Sequence, residues 1–249
     1  MASDYLEIPG IPRIELTRRK GQKSLRLRIR EGNVVVSAPK SVPKYMIKEF
    51  VVSRKSWIQK KLNLQEQKED QFANLAGQYR LRMLLRGDWK PIEEVEVKHQ
   101  NGVYIEEQKD KIFVRKDPLV SQQFLNKAAV GFYKQLAKSE LPKRIQELTG
   151  KMPIHVNRVT IRNQKTRWGS CSSKGSISLN WRLMKLPASI CDYILIHELC
   201  HRIHMNHSKQ FWDLVRSWYP DADKADAWIK KHESFLFADI GYGSLLLRE

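Results

Sequence analysis

The sequence predicts an α+β fold. Short stretches of apolar–polar alternation, the signature of half-buried strands, recur within 24–38, 79–115 and 158–183, and longer stretches of helical spacing separate and follow them. The composition is globular, 41% hydrophobic and 9% aromatic over 249 residues, which is enough chain for one large domain or two smaller ones. No apolar run approaches the roughly 18 residues of a membrane span, so no membrane partner is expected.

Residues 24–30 (Ser-Leu-Arg-Leu-Arg-Ile-Arg) alternate apolar and basic, Gly32-Asn33 is a turn signal, and Val34–Ala38 reads as the returning strand of a hairpin. Arg26, Arg28 and Arg30 then form a row on its outward face. Pro39 and Pro43 bracket a helix start, and Ile47, Phe50, Val51, Arg54, Trp57, Ile58 and Leu62 keep helical spacing. The Gln/Glu/Lys-rich stretch 63–78 predicts a frayed helix end and a linker. Four short strands are expected at 79–85, 92–98, 102–106 and 111–115, with Asn101-Gly102 as a hairpin turn. Residues 119–149 read as one helix, or as two if Pro142 breaks it. Strands at Arg158–Arg162, Thr166–Ser170 and Ser176–Leu183 follow, then a helix from Pro187 to about Ile203 and two more near 208–218 and 222–235. No internal repeat is legible, and Gly241-Tyr242-Gly243 follows no strand that would make it a phosphate loop. These elements divide into a basic, mainly-β region over 1–118 with one helix and a second domain over 119–249.

The chain carries 45 Lys and Arg against 27 Asp and Glu, a formal net charge of +18. Residues 11–61 hold 15 basic and three acidic residues, a net of +12. A field of that sign attracts phosphates, nucleic acid or acidic protein surfaces. The N-terminal Met1-Ala2-Ser3-Asp4-Tyr5 has neither a basic n-region nor an apolar stretch behind it, so no signal peptide is expected. Cys171, Cys191 and Cys200 form an odd set without CxxC spacing, which predicts free thiols and a cytoplasmic setting.

Four of the seven histidines fall within 197–207. In His197-Glu198-Leu199-Cys200-His201 the two histidines are i, i+4 on one helix, so their imidazoles share a face and one ion. Glu198 lies about 100° round the helix, where its carboxylate meets a metal-bound water without ligating. The apolar run Tyr193-Ile194-Leu195-Ile196 predicts that the helix is buried. The chance of an accidental HExxH at this composition is about 0.01, and a histidine at 207 as well lowers it to a few parts in ten thousand.

The third ligand is a choice. His204 shares the face, but a straight helix separates it from His197 by about 10.5 Å of axial rise, too far for one zinc with bonds of about 2.0–2.1 Å. His207 follows Met205-Asn206, where the chain can turn back, and is the expected ligand; an acidic ligand from a later helix, such as Glu233, is the alternative. One Zn2+ per chain suits three imidazoles and an open fourth position for water, with Glu198 as general base and then acid. A closed structural site would need a fourth ligand, and Cys200 points to another side of the helix.

The residues Lys165-Thr166-Arg167-Trp168-Gly169-Ser170-Cys171-Ser172, Ser176-Ile177-Ser178-Leu179-Asn180, Asp192-Tyr193, the HExxH, Asn206-His207-Ser208 and Phe211-Trp212 together resemble the YgjP-like metallopeptidase family, which is similar to SprT-like and other small zincin proteases. The resemblance is dense from Lys151 to Ile229. It implies a zincin-like domain with a small antiparallel sheet and an active-site helix, and a zinc-dependent hydrolase with both HExxH histidines, the glutamate and His207 in the roles assigned above. Metzincins share the spacing but carry glycine where this chain has His204. In the RWGSCS segment, Trp168 is expected to fill core and Gly169 to permit a bulge or close backbone approach. Lys165 and Arg167 are candidates for holding an oxyanion or a phosphate, and Asn180 for substrate contact.

Three functions follow as expectations. The leading one is a metallopeptidase, with metal-bound water attacking a carbonyl and the strand Ser176–Leu183 offering an edge to an extended peptide. The second keeps the metal and takes an anionic phosphoanhydride such as a nucleotide, which Lys165, Arg167 and the basic N-terminal region would suit. The third is a nucleic-acid-associated SprT-like protease that docks through that basic region, although the arginine row lacks the aromatic residues of a single-strand stacking platform.

Overall fold

The computed structural model describes residues 4–30, 33–78, 81–98 and 102–237. Gly32, Asn101 and Gly241–Gly243 lie outside them. The chain forms two compact units, 1–74 and 75–249, and not the 118/119 division expected from sequence. The reason lies in the core: Met83, Leu85, Ile92, Ile112 and Val114, from strands assigned by sequence to the first region, are buried in one cluster with Leu125, Trp181 and Leu195. No helix among the described residues is long and apolar enough to cross a membrane.

The first unit is a four-stranded sheet backed by helices. β1 (Asp4–Leu6), β2 (Ile14–Arg19), β3 (Arg26–Arg30) and β4 (Asn33–Pro39) lie in the order β1-β2-β4-β3, with β2 and β4 parallel and both outer pairs antiparallel. The β3–β4 hairpin matches the sequence expectation; β1 and β2 add to it, with Ile14 and Leu16 buried and alternating with polar residues. Ile14, Leu16, Val34, Val36 and Ala38 are buried against Ile47, Val51 and Ile58. Each buried Ile, Leu or Val side chain there contributes about 1.5–3 kcal/mol. Where the sequence predicts one helix, the structure has two: α1 (Lys44–Val52) ends at Ser53, whose Oγ donates to the carbonyl of Phe50 at 2.9 Å, and α2 (Lys55–Gln78) extends through the stretch expected to be a linker.

The second unit opens with β5 (Arg82–Leu85), β6 (Asp88–Glu96), β7 (Tyr104–Gln108) and β8 (Lys111–Lys116), in the order β5-β6-β8-β7. β6 and β7 are not neighbours, so the segment around Gly102 does not close the hairpin expected there; β7 instead turns into β8 through Lys109 and Asp110. The β5–β6 turn is Arg86-Gly87, with φ of +51° and +91°, the backbone of a type I′ hairpin. It docks on a 3-10 helix, Trp181–Lys185: the Arg86 and Gly87 amides donate to the carbonyls of Met184 and Lys185 at 2.8 and 3.1 Å. A Cβ on Gly87 would stand 2.9–3.1 Å from Pro187, so this position admits only glycine.

α3 (Gln122–Thr149) runs unbroken past Pro142, because the carbonyl deprived of its amide belongs to Lys138 on the exposed side. A three-stranded sheet follows, β9 (Arg158–Arg162), β10 (Gly169–Cys171) and β11 (Ser176–Asn180), in the order β10-β11-β9. It is mixed and not purely antiparallel: β11 is antiparallel to β10 and parallel to β9. The strand expected to reach Leu183 stops at Asn180, since Asn180 Oδ1 accepts from the Arg182 amide and caps the 3-10 helix. α4 (Ala188–Cys200) is buried on nearly every side, as its apolar run predicts, and is tied to α3 by a two-pronged Arg144–Asp192 pair at 2.7 and 2.6 Å. α5 (Lys209–Trp218) and α6 (Ala222–Phe237) complete the unit.

The two units repeat one design. Strand order and direction are the same in both four-stranded sheets, and over the last three strands of each the register is offset by 78 residues: Ile14↔Val34 becomes Ile92↔Ile112, and Arg30↔Asn33 becomes Gln108↔Lys111. α1 and α3 begin at Lys44 and Gln122, 78 apart, and bury Ile47 and Val51 in one copy and Leu125 and Ala129 in the other. Only seven of the 41 residues in 14–54 match their counterparts in 92–132, which is why no repeat is legible in the sequence.

Candidate metal centre

The last turn of α4 carries His197 and Glu198, and His201 caps the helix. The chain then turns through Arg202–Asn206 and re-enters a helix at α5, whose N-cap Ser208 accepts from the Phe211 amide at 3.4 Å. That cap sets His207 just ahead of α5 and opposite α4. The ligand nitrogens of His197, His201 and His207 lie within 4.8 Å of one another, the one such group among the described residues. His197 Nε2 and His207 Nε2 are 3.1 Å apart. Two nitrogens on one tetrahedral zinc stand roughly 3.3 Å apart, so the donor set fits a zinc ion. Glu233, the alternative ligand, is exposed on α6 and outside the group, and Cys200 is fully buried and also outside it.

Neighbouring groups hold the imidazoles. The ring of Phe211, wholly buried, has its centroid 4.9 Å from His197, 4.5 Å from His201 and 4.9 Å from His207, so one aromatic side chain forms the floor under all three. His201 Nδ1 is 3.0 Å from the carbonyl of His204; donation along this bond leaves Nε2 as the lone-pair nitrogen. His204 therefore acts through its backbone and not as a ligand. Burial, then the neighbouring His201 and His207, depress the His197 pKa to about 4, and burial also lowers that of His201, so both are neutral donors at pH 7. Arg202 donates to the carbonyls of His155 and Ser173 at 3.2 and 3.1 Å, clamping the turn after α4 to the neighbouring loops.

Glu198 is 6% exposed, and its Oε2 has no hydrogen-bond partner among the described residues. Burial raises its pKa to about 7. Its side chain lies flat against β10: a Cβ on Gly169 would fall 2.6 Å from Glu198 Oε1. The close approach expected of Gly169 is thus to Glu198, which the spacing of the RWGS segment did not reveal.

A family model described as a YgjP-like metallopeptidase domain matches residues 23–232. The chain belongs to this family. Membership makes it a metallopeptidase-type hydrolase domain and implies a metal ion, typically zinc. A crystal structure of the metallopeptidase zymogen of Pyrococcus abyssi abylysin is 28% identical over 36% of this chain and 90% of that one, with a TM-score of 0.31, a value that establishes no shared overall fold. A search of curated proteins gave no match.

In this YgjP-like domain the remaining candidates separate. Asn180 is fully buried, and its Nδ2 donates to the carbonyls of Gln164 and Arg167 at 2.8 and 2.9 Å. With its amide committed on both sides it has no group left for substrate, so the expected substrate contact is corrected to a positioning role. The loop it holds presents Lys165 and Arg167 to solvent immediately before β10. Trp168 is partly buried, with its ring 4.5 Å from that of Phe237. Cys171, Cys191 and Cys200 are free thiols, the last two buried with pKa values pushed up to about 12.

Proposed function

We propose that the chain is a zinc-dependent peptidase in which His197, His201 and His207 hold one zinc ion and Glu198 is the general base. The observation that carries this reading is the convergence of three imidazole nitrogens beside a buried carboxylate one residue from the first of them. Zinc bound there would supply Lewis-acid polarisation of the scissile carbonyl and lower the pKa of a water in the open coordination position. Glu198 takes a proton from the attacking water onto its carboxylate and delivers it to the leaving amine nitrogen. Gly169 lets that carboxylate lie against β10. An extended peptide cannot add to β11, the central strand, which is paired on both sides; of the two edge strands, β10 and β9, β10 is the one packed against Glu198. A peptide added to β10 lies along the strand that touches Glu198.

The test is Glu198→Gln assayed on a peptide library beside the wild type, with zinc content measured in both. Loss of cleavage by about 10²–10⁴-fold at unchanged zinc content is expected. Full activity with zinc bound overturns the role given to Glu198.

A second reading keeps the metal and takes a phosphoanhydride such as a nucleotide. What favours it is the pair Lys165 and Arg167, exposed on a loop pinned by Asn180 and leading into the strand beside Glu198. Phosphate or pyrophosphate release from nucleoside triphosphates that disappears in Glu198→Gln, without peptide cleavage by the wild type, would move the assignment to it.

A further inference from the structure

The repeat supplies an internal control for the basic charge. The helices cover one face of the first sheet, and the opposite face carries Arg13, Glu15, Thr17 and Arg19 from the β2 segment, Val35 and Ser37 from β4, and Arg26 and Arg28 from β3. All four arginines are exposed and Glu15 is the one acid among these residues. Among the described residues no carboxylate pairs with Arg19, Arg26 or Arg28. In the second copy the positions of Arg26 and Arg28 are Tyr104 and Glu106, in the same register and also exposed. The window 11–61 has 15 basic residues against three acids; its counterpart 89–139 has nine against seven. The same sheet therefore forms without the arginines, and neither folding nor packing accounts for them.

We propose that this helix-free face of the first unit binds duplex nucleic acid through its phosphates. The inference is independent of the hydrolytic reading. Arginines two residues apart on β3 are separated by about 6.8 Å, the scale of adjacent phosphates on one strand, and guanidinium forks suit phosphate oxygens. The partner is a duplex and not a single strand because base stacking has no free platform here: the ring of Tyr5, the aromatic residue of this sheet, is already covered by Arg13 at 3.7 Å. Thr17 and Ser37 lie between the arginines, and the contacts this face offers are guanidinium forks to phosphates, which carry no sequence information. Binding is accordingly sequence-independent and strongly salt-dependent.

The test uses the full chain and a short fluorescein-labelled DNA duplex, titrated from roughly 50 to 200 mM salt. The variant is Arg26→Tyr with Arg28→Glu, residues the second copy already carries at these positions. Lys60→Glu with Lys61→Gln, on α2, removes the same net charge elsewhere. The expected result is binding weakened roughly tenfold or more in the first variant, with the slope of log K against log salt reduced by about two, and little change in the second. Equal weakening in both variants reduces the effect to overall charge and overturns the site, as does wild-type affinity in the first. A single strand, or polyglutamate, bound more tightly than the duplex overturns the choice of partner. Should the first variant misfold by circular dichroism, Arg19→Gln with Arg28→Gln carries the same expectations.

Discussion

A Cβ atom on Gly169 would lie 2.6 Å from Glu198 Oε1, 2.7 Å from its Cγ and 2.8 Å from its Cδ. The conflict is with the whole side chain and not with a flexible tip, so no rotation of the carboxylate alone relieves it. Edge strand and helix approach so closely here that the glycine acts as part of the site.

Gly169→Ala is therefore expected to displace Glu198 while leaving the three imidazoles in place. Hydrolysis should fall by about 10²-fold or more, approaching the loss in Glu198→Gln, with zinc content unchanged. Steady-state kinetics and metal analysis check it; near-normal turnover would show that Glu198 is not needed in its present position.

Zinc should stabilise the protein through His197, His201 and His207. An ion at a hundred times its Kd stabilises by about 2.7 kcal/mol, a rise of several degrees in Tm, which a chelator should reverse. His207→Ala should melt at the same temperature with and without zinc, because two imidazoles on α4 do not make a three-nitrogen site. Differential scanning fluorimetry across a zinc titration reads both.

Asn180→Ala removes two donations to the 164–167 loop from a fully buried side chain. A loss of about 2–3 kcal/mol in urea unfolding is expected, because the carbonyls of Gln164 and Arg167 lose their partner. Trypsin should cut after Lys165 and Arg167 faster than in the wild type, since local opening governs such cleavage. Unchanged cleavage would contradict the positioning role.

Asp192→Ala breaks the two-pronged tie between α3 and α4. Arg144 is 40% exposed, so water recovers part of the loss, and about 1–2 kcal/mol is expected. Arg144→Ala together with Asp192→Ala should cost little more than either alone, a non-additivity that a double-mutant cycle in urea measures.

The alternation in Leu25–Ile29 and Val34–Ala38, the apolar run before His197, and the i, i+4 pair with its offset glutamate are local patterns with periods of two and 3.6 residues. Such patterns depend on neighbours along the chain, and the β3–β4 hairpin and the α4 helix were legible for that reason. The grouping of His207 with His197 and His201 could also be read, since a helix that ends after His201 must turn within a few residues and His204 is barred by rise per residue. The sequence alone thus settles the α+β class, the histidine cluster and the concentration of charge near the N-terminus.

Contacts between distant segments were decided by the tertiary structure. Gly169 lies 29 positions before Glu198, and only the packing of β10 on α4 makes them neighbours. Asn180 became a buried clamp because β11 ends there beneath the 164–167 loop. Strands 82–116 joined the second unit because their apolar faces share its core, a choice that alternation within each strand does not encode. The repeat stayed hidden because a sheet constrains the buried positions of each strand to be apolar but leaves the residue type free. The same tolerance freed the exposed positions, so one copy could carry arginines where the other carries Tyr104 and Glu106.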